Sequence, residues 1–153
     1  MPISAGITAP DFSLMDETGE MRRLSDYRGR AVVLYFYPKD DTPGCTTEAC
    51  SFRDDYHVYR EKGVEILGVS PDSPKKHKKF KEKYHLPFTL LADEDHQVCL
   101  TYGVWGPKKF MGKEYDGVYR TTFLIDSEGM IVEVFENVKP EGHSAQILAR
   151  LGK

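Results

Sequence analysis

Two continuous apolar runs, Ala31 to Tyr37 and Val64 to Val69, are rich in β-branched and aromatic residues and have the length of strands buried on both faces. Between them, Thr42-Pro43-Gly44 opens a helix expected to run from about Pro43 to Lys62 and to stop at Gly63. Strand, helix, strand implies a right-handed parallel unit. Ahead of it, Asp11 to Met15 and Met21 to Leu24 flank the polar stretch Asp16-Glu17-Thr18-Gly19-Glu20, which reads as a small hairpin.

Downstream, Ser73 and Pro74 supply a cap and a first helical residue for a second helix reaching about Tyr84. Phe88 to Leu91 is a short strand, and Asp93-Glu94-Asp95 places acids at the start of a third helix that carries Cys99. Gly103 to Gly117, rich in Gly, Lys and aromatics, reads as a long surface loop and contact site. Tyr119 to Ile125 and Met130 to Phe135 are strands about the turn Asp126-Ser127-Glu128-Gly129, and Gly142 to Leu151 is the last helix. The order is a βαβ half joined to a ββα half: an α/β, thioredoxin-like fold with an amino-terminal hairpin and an inserted helix and loop. It accounts for residues 1–153 as one domain, and 153 residues suffice to hold a core without disulfide staples.

Composition removes several function classes. A net charge of −3 gives no global attraction to nucleic acid or acidic membranes. Six lysines between Lys75 and Lys83 form a local exception, read as a solvated helix face with Phe80 and Tyr84 turned inward. No apolar run approaches the ~20 residues of a membrane span. The amino terminus lacks the basic start and apolar stretch of a secretory signal. Three cysteines are odd in number and few, which fits a reducing, cytoplasmic setting with free thiols. The five histidines and three cysteines have no paired ligand spacing, so no metal is expected.

The chemistry concentrates between Tyr37 and Cys50. With Thr42 as cap and Pro43 first, Cys45 is the third residue of the helix. Unpaired backbone N–H groups and the positive end of the helix dipole favour an anion there, so the Cys45 thiolate, the nucleophilic form, should be stabilised at neutral pH. Cys50 lies five residues on, and in an ideal helix the two α-carbons are roughly 8.7 Å apart, beyond the reach of a disulfide. If the two are partners, the helix start must unwind. Cys99, beside Val98 and three residues before Tyr102, is expected to be a part-buried packing cysteine.

Pro38, Thr42 and Cys45 match the Pro-x-x-x-Thr-x-x-Cys signature of the peroxiredoxins, and a cysteine five residues later resembles the peroxiredoxin Q or bacterioferritin comigratory protein branch. The segments Gly68–Ser73, Leu90–Asp93, Tyr102–Gly106 and Arg120–Asp126 also resemble that branch, in order, across nearly the whole chain. The resemblance implies Cys45 as peroxidatic nucleophile, Cys50 as resolving cysteine, and Pro38, Thr42 and Arg120 as the frame holding the peroxide. It also implies hydrogen peroxide and alkyl hydroperoxides as substrates, thioredoxin or a similar dithiol as reductant, no cofactor and a monomer. Thr42 can serve as a cap or hold peroxide, and Pro38 can shield the sulfur or simply end the strand. Glu48 matches the branch without an assigned step.

Rival chemistries fit the spacing less well. A disulfide reductase uses Cys-x-x-Cys, where this chain has four residues between its cysteines. A cysteine phosphatase needs arginine where Ser51 stands. A peroxide-responsive sensor or holdase using the same thiols is the alternative from another class.

Overall fold

The computed structural model describes residues 2–151. Seven strands form one sheet in the order β2-β1-β5-β4-β3-β8-β9. The strands are β1 (Ser13–Asp16), β2 (Met21–Arg23), β3 (Ala31–Phe36), β4 (Val64–Ser70), β5 (Thr89–Ala92), β8 (Thr121–Ile125) and β9 (Ile131–Phe135). Helices α1 (Pro43–Glu61), α2 (Pro74–Tyr84), α3 (Gln97–Thr101) and α4 (His143–Leu151) complete the core. The central strands β3, β4 and β5 are parallel, while β8 and β9 continue antiparallel beyond β3. This is the expected βαβ plus ββα arrangement, the thioredoxin-like plan.

Successive side chains of a strand point to opposite faces, and both faces of this sheet are covered. Val32, Leu34 and Phe36 of β3 pack with Leu67, Cys99, Tyr102 and Phe123 on one side. Val33, Tyr35 and Tyr37 pack with Phe52, Tyr59, Phe80 and Ile147 on the other. That double burial is why Ala31 to Tyr37 reads as an unbroken apolar run rather than an alternation. Helix α1 lies on the second face through Cys45, Ala49, Phe52 and Tyr59, a stripe at helical spacing. Its far end is fixed to α4, where Tyr59 Oη donates to the Ser144 carbonyl at 2.9 Å and Ser144 Oγ donates to Asp55 at 2.7 Å.

Two expectations are corrected. The segment from Gly103 to Gly117 is not a loop, because β6 (Trp105–Phe110) and β7 (Lys113–Val118) pair antiparallel in a separate ribbon. Its two-residue turn, Met111-Gly112, has φ of 52° and 80°, the conformation that suits a tight hairpin. Methionine is an unusual first residue for such a turn, so the hairpin signal is faint in the sequence.

The second correction concerns Thr42. It stands at the cap position of α1 with extended backbone, but its hydroxyl does not cap the helix; it donates to the Lys39 carbonyl at 2.9 Å. The preceding Asp41 has φ of 57° and curls the turn back on itself, which turns the hydroxyl away from the helix. By contrast Ser73 caps α2 as expected, accepting from the Lys76 N–H at 3.2 Å. The basic face of α2 is a solvated one, with Phe80 buried and Tyr84 part-buried beneath it.

Candidate active site

Strand β3 ends at Phe36, and the chain passes through Tyr37 and half-buried Pro38 into the turn that starts α1. Cys45 occupies the third position of the helix and is 1% exposed. Because Thr42 does not cap and Pro43 has no N–H, the N–H groups of Gly44 and Cys45 belong to a first turn without a side-chain partner. The helix start thereby keeps its capacity for a developing negative charge.

Arg120 reaches this turn from the link before β8. Its Nη2 donates to Cys45 Sγ at 3.4 Å and its Nη1 to Glu48 Oε1 at 2.6 Å. The planar guanidinium thus bridges two residues one helical turn apart, a geometry that lysine cannot copy. Gly44 makes room for it: a β-carbon there would lie 3.1 Å from Arg120 Nη2 and 3.4 Å from Pro140. Burial works against the Arg120 charge, but Glu48 and Cys45 outweigh it and hold the guanidinium above its ordinary value. Lys108 of β6 adds a second cation nearby. Its Nζ donates to the Val118 carbonyl at 3.0 Å. Burial and Arg120 push this lysine down while Cys45 pulls it up.

Glu48 is the residue whose part the sequence left open. It is 0% exposed, and its Oε2 has no hydrogen-bond partner. The signal is visible in retrospect, since Cys45, Glu48, Ala49 and Phe52 form the buried stripe of α1 and Glu48 is its one acid. Burial pushes the Glu48 carboxyl up to about 7, although Arg120 acts to lower it. A carboxyl that holds its proton to about 7 when folded, and releases it near 4.5 when unfolded, makes stability fall as pH rises through that window. Relative to a Glu48→Gln variant, the unfolding free energy of the wild type is expected to drop between pH 4.5 and 7, by up to about 3 kcal/mol. Urea unfolding of both proteins across that range checks it; parallel profiles would contradict it.

Cys45 and Cys50 are both free thiols, as is Cys99. Cys50 is part-exposed, outside the contacts made by Arg120. Burial raises its pKa, with Arg53 opposing and Asp54 adding to the shift. Cys99 is fully buried in the opposite face of the core, and burial followed by Asp93 pushes its thiol far above the usual range. It is a packing cysteine, more deeply buried than expected. The five residues singled out therefore separate. Cys45 and Arg120 are in direct contact, Pro38 and Thr42 lie in the turn that leads into α1, and Cys50 sits further along that helix.

Among the described residues, one set of metal-ligating types converges: Asp40, Asp72 and His77, with one ligand atom of each within 4.8 Å of the others. Both oxygens of Asp40, Oδ2 of Asp72 and both nitrogens of His77 already have protein hydrogen-bond partners. The set is satisfied as a hydrogen-bond cluster.

Residues 5–134 match the model of the AhpC/TSA family. Peroxiredoxin Bcp of Escherichia coli strain K12 is 52% identical over 147 residues, covering 96% of this chain and 94% of the relative. Peroxiredoxin Bcp of Bacillus subtilis strain 168 is 52% identical over 151 residues, covering 99% and 96%. A solved structure of the Xanthomonas campestris bacterioferritin comigratory protein, described in connection with alkyl peroxide reduction, superposes with a TM-score of 0.90 at 38% identity over 97% of each chain. A thiol at the start of a helix, faced by a fixed arginine on a thioredoxin-like sheet, accords with these relatives: the chain belongs to the AhpC/TSA family, in its peroxiredoxin Q/Bcp branch, and is a thiol-dependent peroxidase.

Proposed function

We propose that Cys45 is the peroxidatic cysteine and Cys50 the resolving one, in a cycle that reduces hydrogen peroxide and organic hydroperoxides. The observation that carries this reading is Arg120 Nη2 at 3.4 Å from a sulfur held in the first turn of α1. The Cys45 thiolate attacks the terminal peroxide oxygen, and the weak O–O bond breaks. The leaving oxygen departs as water or alcohol after taking a proton, and Cys45 becomes a sulfenic acid. Arg120 and the first-turn N–H groups stabilise negative charge on the sulfur before the step and on the leaving oxygen during it. Pro38 and Thr42 belong to the turn that leads into α1, and in this reading that turn frames the peroxide as it meets the sulfur. The Cys50 thiol then attacks the sulfenic sulfur, water leaves, and a disulfide forms as the first turns of α1 unwind. Tyr59 and Ser144 hold the far end of the helix in place meanwhile.

A dithiol reductant, thioredoxin in this proposal, restores both thiols by exchange. In this reading the chain works as a monomer, since a disulfide between two cysteines of one helix needs no second copy, and in the cytoplasm, since three cysteines, odd in number and few, fit a reducing compartment. No helix among the described residues is long and apolar enough to cross a membrane. The alkyl peroxide reduction connected with the Xanthomonas relative supports organic hydroperoxides as substrates.

The test is a Cys50→Ser variant. It should consume about one equivalent of peroxide, stall as the sulfenic acid, and pass readily to the sulfinic form with excess peroxide. Full thioredoxin-linked turnover in that variant would remove Cys50 from the cycle.

A further inference from the structure

The turn that presents the reactive cysteine is tied to the core by a buried polar cluster whose residues the family signature leaves unspecified. Tyr37 Oη donates to Asp40 Oδ1 at 2.6 Å, and Asp40 Oδ2 lies 2.6 Å from His77 Nδ1. His77 Nε2 faces the Leu91 carbonyl at 2.9 Å, so it must donate. One proton is therefore shared between Nδ1 and Asp40. The Asp40 N–H donates to Asp72 Oδ2 at 2.8 Å, and Ser70 Oγ donates to the same oxygen at 2.7 Å. Tyr37, Ser70 and His77 are completely buried, while Asp40 and Asp72 are nearly so. The cluster links β4, α2 and β5 to a residue two places before Thr42 and five before Cys45.

The next residue shows why such a clamp is needed. Asp41 adopts φ of 57° without being glycine, a conformation that persists only where the surroundings impose it. Asp41 is itself held from α2, accepting from Lys83 Nζ and Tyr84 Oη at 2.8 Å each, but those contacts are exposed. The buried hold is the one through Asp40.

We propose that Asp40 and His77 are positioning residues for peroxide reduction: their buried pair fixes the Pro38–Thr42 turn on α2 and β5, and with it the donors arranged around Cys45 Sγ. Neither touches the reacting atoms. The proposal rests on the peroxidatic role of Cys45, and a displacement of about 1 Å in such a frame is enough to cost up to a hundredfold in rate.

The experiment compares two reactions of the same sulfur in the full chain. Oxidation of Cys45 by hydrogen peroxide, followed by stopped flow, needs the aligned donors. Alkylation of Cys45 by iodoacetamide, followed by mass spectrometry, needs a thiolate and room to reach it, because attack on carbon with loss of iodide uses no oxygen-binding frame. His77→Leu should slow oxidation about ten- to hundredfold and leave alkylation of the nearly buried sulfur at or above the wild-type rate. Asp40→Val removes both oxygens that Tyr37 and His77 hold and should show the same selective loss, which decides the matter should His77→Leu fail to fold. Wild-type oxidation rates in a folded Asp40→Val, or oxidation and alkylation falling together in a folded variant, would overturn the proposal. A Cys45→Ser control with intact peroxide consumption would instead reject the role of Cys45, so the two failures are distinguishable.

Discussion

Replacing Cys45 with serine is expected to abolish peroxide consumption while leaving the fold intact. The change removes one polarisable atom and keeps the side-chain shape, and the residue is buried on α1 with Arg120 as its polar partner. A serine hydroxyl does not ionise at neutral pH, so the nucleophile is lost outright. Neither remaining thiol can substitute. Burial raises the Cys50 pKa and Cys50 has no contact from Arg120, while Cys99 is sealed in the core with its thiol pushed far above the usual range. A dithiol-coupled peroxidase assay should fall to the uncatalysed rate. Turnover near that of the wild type would remove Cys45 from the chemistry.

Arg120→Ala should slow the first oxidation by about a hundred- to a thousandfold, the scale on which a positioned donor to a developing anion acts. Two losses combine in this variant. Cys45 Sγ loses its donor, and Glu48 loses its partner inside the core. Since Arg120 is what lowers the Glu48 pKa against burial, the carboxyl rises further and stays protonated, so no bare charge is stranded and the chain should still fold. Arg120→Lys should recover only part of the rate, because an ammonium cannot serve Sγ and Glu48 Oε1 with the fixed fork of a guanidinium. Stopped-flow fluorescence of the single tryptophan, Trp105, gives the rate constants. An unchanged rate in Arg120→Ala would reduce the arginine to a structural role.

Much of this site is local in sequence, and that part was legible. The buried strand, the Thr-Pro start of α1 and the placing of Cys45 in its first turn all follow from residues within one short stretch. The match of Arg120 to the family pattern supplied a partner for Cys45 from 75 residues away. Other features were hidden because they depend on tertiary contact. The Thr42 hydroxyl is a good cap in isolation, yet the left-handed Asp41 turns it to Lys39. Asp40 and His77 are 37 residues apart, and nothing in the basic pattern of α2 marks its histidine as buried. The β6–β7 ribbon was obscured by a turn whose first residue is methionine. Glu48 was half legible: its place in the apolar stripe is plain, but its meaning depends on Arg120 arriving from the other half of the fold.

The cycle stands or falls on which sulfurs join. Peptide mapping of the wild type after one equivalent of peroxide, with free thiols blocked before digestion, reads this directly. The expected product is a Cys45–Cys50 disulfide within one chain, with Cys99 recovered in its reduced, blocked form. A Cys45–Cys99 link, a disulfide between two chains, or Cys45 left as an unresolved sulfenic acid beside a free Cys50 would contradict it.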